Sequence, residues 1–180
     1  MTSTEQLKVA ANRMFEMVNG HKPELAEYAM HPEFVASRQG MGKSFPYFAQ
    51  ISGGPGPTAG TDTSDAFAAF KAAFGAILAA FPDMRNNVVG PQIAEGDTVV
   101  SHITFTGTHL GPFLGFPATG RSVEMDEVLF MRVKDDKVVE VWALGDELTL
   151  LEQLGVLTPG RQRTCRPRGS PHRLPRTLHD

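Results

Sequence analysis

The chain has 180 residues, 41% of them hydrophobic and 21% charged, which is the balance of one ordinary globular domain with a real core. Its net charge of −3 conceals an asymmetry: residues 161–180 hold six Arg and one acid, so the body before them is distinctly acidic, which argues against a nucleic-acid-binding fold. The single Cys, Cys165, leaves no internal disulfide, and no Cys/His pair has zinc spacing.

In chain order, Ser3 or Thr4 can cap a helix over residues 4–19, with Glu5 in its first turn and Leu7, Ala11, Met14, Phe15 and Val18 on one face. The first residues are acidic and polar where a secretion signal needs a basic start and an apolar run, so a cytoplasmic protein is expected. Gly20 ends the helix and Pro23 suits the first turn of a second, which His31-Pro32 stops. Glu33–Ser37 reads as a short strand. Residues 38–62 are rich in Gly and Pro and read as a long loop.

Thr63-Ser64-Asp65 opens the clearest helix, with Phe67, Phe70, Phe74, Ile77, Leu78 and Phe81 in one stripe, and Pro82 stops it. That apolar stretch is too short to span a bilayer, which takes about 20 residues. From Met84 on, strand patterns follow, with turns at Glu95-Gly96-Asp97 and Asp135-Asp136 and a closing helix from Asp146 to Gly155. Helices followed by antiparallel strands give an α+β domain over residues 1–157. Residues 158–180 have little apolar surface and read as a disordered basic tail.

Phosphate loops, dinucleotide fingerprints, zinc helices and nucleophile elbows are missing, so a nucleotide, metal or acyl-enzyme mechanism has no support in the residues. A two-residue hairpin at Asp135-Asp136 would place Leu129 opposite Trp142, Glu127 opposite Leu144 and Met125 opposite Asp146. Glu127, Trp142 and Asp146 then share a mainly apolar face, on which a carboxylate loses solvation and becomes a usable acid or base; a bulge would flip one strand. Asp146 has a second reading, as the cap of the last helix. Trp142 is either a stacking surface for a flat ligand or a core aromatic. His102 lies on the more polar face of its strand, toward solvent or a subunit interface, and His109 lies in a loop, in reach of a ligand or bonded to backbone.

The stretch GTHLGPFLGFPATGRSVEM, followed by VVEVWALGD and LLEQLGV, resembles the SnoaL-like polyketide cyclases of the NTF2-like superfamily, and the resemblance covers roughly residues 5–156. It implies a cone in which a curved antiparallel sheet wraps the N-terminal helices around an apolar pocket. It implies a homodimer or higher homo-oligomer, a hydrophobic small-molecule substrate, and no cofactor, metal, nucleic acid or membrane. The implied chemistry is an intramolecular aldol-type ring closure with Asp146 as acid/base. Glu127, placed on the same face by the strand pairing, is expected as a second catalytic carboxylate, and the two acids close together would favour isomerase or hydrolase chemistry. Trp142 and Phe15 would lie against the substrate's flat rings, and His102 and His109 are the further candidate contacts read from their places in strand and loop. Relatives often carry a His where this chain has Val35-Ala36-Ser37, and their loop is shorter than residues 38–62. An isomerase or epoxide hydrolase on the same fold, or a binding module without catalysis, are the competing expectations.

Overall fold

The computed structural model describes residues 3–38 and 63–157, with residues 63–69 as backbone only. Residues 39–62 and 158–180, which hold most of the expected loop and the expected tail, lie outside the described residues.

Helix α1 spans Thr4–Asn19. Its start is a capping box: Ser3 Oγ accepts from Gln6 N at 3.2 Å, and Gln6 Oε1 accepts from Ser3 N at 2.9 Å. The expected second helix is split into a 3₁₀ turn, Pro23–Leu25, and a single turn α2, Ala26–Ala29. Strand β1 runs Met30–Arg38, longer than expected, and so takes Arg38 out of the loop. Helix α3 spans Thr63–Ala80. Then come β2 (Arg85–Val88), β3 (Ile93–Glu95), β4 (Thr98–Thr108), β5 (Ser122–Lys134), β6 (Lys137–Gly145) and the closing helix α4 (Glu147–Leu154). Among the described residues no helix is long and apolar enough to cross a membrane.

The strands form one curved, unclosed sheet in the order β1-β6-β5-β4-β2, with β3 also on β4. All neighbours are antiparallel except β1, which runs parallel to β6. The β1 register breaks between Met30 and Val35, where Pro32 has no N–H to give a ladder.

Asp135 and Asp136, at φ 50° and 58°, make the expected tight turn, and Lys134 faces Lys137. The expected register survives only through Val133 and Val138. It then slips by one residue, so Phe130 faces Trp142, Leu129 faces Ala143, and Glu127 faces Gly145. The cause is a bulge in which Val138 and Val139 are consecutive and both buried. Beyond it, β6 turns Val141 and Ala143 inward and Glu140, Trp142 and Leu144 outward. The expectation that Trp142 and Glu127 share a face is thereby overturned.

The concave face packs on α1 and α3. Met17, Phe81, Ile103 and Met131 are almost fully buried, at about 2 kcal/mol of hydrophobic stabilisation for each such side chain. The end of α1 is tied to β2: Asn19 Oδ1 accepts from Asn86 N at 2.7 Å, and Asn19 Nδ2 donates to Asn86 O at 3.0 Å. The end of α3 is tied to the loop after β4, where Leu110 N and Gly111 N both donate to Ala80 O, at 2.9 and 3.1 Å. This satisfies a carbonyl that the helix itself leaves unpaired.

Candidate active site

Between α1, α3 and the concave sheet lies a cavity of about 210 Å³. Phe34, Phe70, Phe74, Phe105 and Phe113 supply much of its wall. Among the described residues its polar groups are Ser37, Arg38, Asn86 and Glu127. A mainly apolar cleft with a few convergent polar groups is the usual form of a small-molecule site.

Arg38 organises one end. It stands at the end of β1, beside β6, with its partners on β5 and at the start of α4. Nη1 donates to Glu127 Oε1, and Nε donates to Glu147 Oε1 at 2.7 Å. Both carboxylates are buried, at 7% and 4% side-chain exposure. Burial works most strongly against the guanidinium charge, but the charges and hydrogen bonds of Glu127 and Glu147 together outweigh it. The Arg38 pKa stands above its ordinary value. Gly145 makes the arrangement possible: a Cβ there would lie 2.6 Å from Arg38 Nη2 and 3.3 Å from Met125 Cε.

Of the six residues expected at the site, Glu127 alone lies on the described lining. Asp146 is exposed and caps α4. Its Oδ1 accepts from Thr149 N at 3.1 Å and its Oδ2 from Thr149 Oγ1 at 2.7 Å. These two bonds, the side-chain one first, hold its carboxyl below the usual range. The expectation of an Asp146 carboxylate facing the cavity is corrected by this geometry: Glu147, one residue on, turns inward instead. Asp146→Ala is expected to lower the melting temperature at neutral pH. The loss should be full above about pH 3.9, where the unfolded carboxyl is ionised, and should vanish as pH falls through the lower folded value. Thermal melts of both proteins from neutral pH to about pH 3 check this.

Trp142 packs edge-on to Phe130 on the outer face, ring centroids 5.3 Å apart. Phe15 is buried in α1, and its neighbours Met14 and Val18 reach the cavity instead. His102 is exposed on the outer face, with Nε2 3.2 Å from Asp126 Oδ1. His109 is fully buried, stacked on Phe81 at 5.3 Å, with Nδ1 3.1 Å from Thr119 Oγ1. Burial, opposed by the Gly111 backbone, pushes its pKa down, so it is a neutral core residue. The groups that sequence reasoning passed over are Arg38, Glu147 and Asn86. Among the described residues no cluster of three His, Cys, Asp or Glu is placed to hold a metal ion.

An open α+β cone around a Phe-lined cavity defines the NTF2-like class of small-molecule proteins. The sequence profile of the SnoaL-like polyketide cyclases matches residues 56–154, and the chain belongs to that family. Among solved structures, IdmH from Streptomyces antibioticus, a candidate polyketide cyclase, is 29% identical with a TM-score of 0.64. The match covers 83% of this chain and 99% of that one. AclR from Streptomyces galilaeus, a candidate hydroxylase, is 26% identical with a TM-score of 0.64, over 87% and 100% of the two chains. TsrD from Streptomyces laurentii is 22% identical with a TM-score of 0.66, over 87% and 100%. No curated protein matches the chain.

Proposed function

We propose that the chain is a polyketide cyclase-like enzyme that moves a proton on a hydrophobic carbonyl compound, with Glu127 as the acid/base and Arg38 as the cation that stabilises the enolate. The observation that carries this reading is the buried Arg38–Glu127 pair at the end of an otherwise Phe-rich cavity. Family membership and the likeness to IdmH, a candidate polyketide cyclase, support it.

The substrate body lies among the Phe rings, which exclude water and strengthen every charge interaction inside. One carbonyl oxygen approaches Arg38. The Glu127 carboxylate takes a proton from the adjacent carbon, and the electron pair of that C–H bond becomes the enolate, its negative oxygen facing the guanidinium. The enolate carbon attacks a second carbonyl of the same molecule, forming the ring C–C bond and leaving an alkoxide. The Glu127 carboxylic acid returns its proton to that alkoxide, so no proton is gained or lost over the cycle. Holding both carbonyls in one cavity converts the encounter into a positioned intramolecular step.

An isomerase shares the first half of this sequence, and the presence of two buried carboxylates on one guanidinium favours it as the second reading. The test is deuterium uptake from D₂O into the methyl group of an acetonaphthone, followed by NMR. Wild-type protein should speed the exchange, and Glu127→Gln should lose about a hundredfold or more of that rate. Equal rates in the two folded proteins would sink the proposal. Offering a diketone and analysing the product then separates ring closure from isomerisation.

A further inference from the structure

We propose that Asn86 is a second polar anchor of the cavity and accepts a hydrogen bond from a hydroxyl at the far end of the ligand. The inference deepens the reading above, since it assumes that the ligand's carbonyl lies at Arg38 and Glu127.

Asn86 lines the cavity from β2, and its Oδ1 is shielded from solvent with no hydrogen-bond partner. A buried amide oxygen without a donor is costly, and native proteins rarely keep one without a use. The rest of the residue is well fixed. Both of its backbone groups are bonded by the Asn19 side chain, and its strand pairs with β4 through Phe105. The oxygen is therefore held in place and unanswered, as a recognition group waiting for a donor would be.

The position sets the length of the ligand. Asn86 faces Phe105 on β4, and Phe105 faces Met125 on β5, two residues from Glu127. Two strand spacings and a two-residue offset along the strand separate the anchors, on the order of 12 Å between backbones. Phe105 and Phe113 line the same cavity. The ligand class is thus a flat apolar molecule of about two fused rings, with a carbonyl at one end and a hydroxyl at the other. A hydroxyl gives Oδ1 the proton it lacks, while an ether or ketone at that end offers only a second acceptor.

The probes are an acetonaphthone carrying a hydroxyl on its distal ring and the methyl ether of the same compound. Wild-type protein should bind the hydroxyl compound about tenfold or more tightly, the effect of one well-made hydrogen bond to a buried group. In Asn86→Leu, which keeps the side-chain size and removes the amide, the ratio should fall to about one. The ligand-free variant should melt at the same temperature as wild type or higher, because an unpaired buried oxygen is gone. The proposal is overturned by a wild-type ratio near one, by a ratio that survives in Asn86→Leu, or by a variant that is markedly less stable or does not fold. The last result would mean that the amide serves the empty protein. Deuterium exchange with Glu127→Gln is read on the same probes. If the exchange ignores Glu127 while the hydroxyl preference follows Asn86, the catalytic reading falls and the anchor stands.

Discussion

Arg38→Met should be the most damaging single change at the site, lowering stability by roughly 3–5 kcal/mol and abolishing catalysed exchange. Glu127 and Glu147 are both buried, and both have a carboxylate oxygen on the Arg38 guanidinium. Methionine fills much of the volume but takes away the cation that both buried carboxylates bond. Lysine should recover only part of the loss, because one ammonium cannot reproduce a fork that engages Glu127 through Nη1 and Glu147 through Nε. Urea melts of the three proteins at neutral pH decide it. A deficit in Arg38→Met below about 1 kcal/mol would mean that the cluster is not the buried charge network described.

The second large effect is expected far from the charges. Gly111→Ala should cost about 3 kcal/mol and lower the melting temperature by roughly 6–12 °C. A Cβ at Gly111 would lie 2.1 Å from Ala79 O, 2.9 Å from Ala79 C and 3.2 Å from Ala80 Cα. These are backbone atoms at the end of α3 and cannot rotate aside. The loop would have to withdraw, breaking the bonds from Leu110 N and Gly111 N to Ala80 O. Phe113, which packs on Phe81 at 5.0 Å and lines the cavity, would move with it. Gly115→Ala is the control: it has open space around it but a φ of 81°, so it should show backbone strain without the collision. A melt of Gly111→Ala within about 1 kcal/mol of wild type would show that the loop can back away freely.

Much of the fold was readable from local signals because local physics decides it. The Ser3 cap, the Phe stripe of α3 and the two-residue turn at Asp135-Asp136 each depend on neighbours within a turn or a hairpin. The site was less readable because its partners are distant. Arg38 meets Glu127 and Glu147 from 89 and 109 residues away. No local pattern marks such a pairing, and Arg38 sits on the border of a Gly-rich stretch that reads as loop.

The choice between Asp146 and Glu147 was harder still. Both are acids at the start of one helix, and which turns inward depends on the phase with which β6 delivers the chain. That phase is set by the bulge at Val138–Val139, where the alternation of buried and exposed residues breaks. Two adjacent valines, apolar alike, carry no sign of which residue breaks the alternation. The same slip sent Trp142 outward, while Glu127, on the unbulged strand, kept its expected side. Asn86 reads as an ordinary polar strand residue until its oxygen is seen to lack a partner.

The bulge also decides what light can report about this protein. Trp142 is the sole tryptophan, and it sits beyond the sheet from the cavity, against Phe130 and near the Arg132–Glu140 ion pair. Its emission follows events on the outer surface, such as a partner covering Phe130 or a change in that ion pair. A ligand settling among the cavity phenylalanines touches no indole, so its arrival must be followed through its own chromophore.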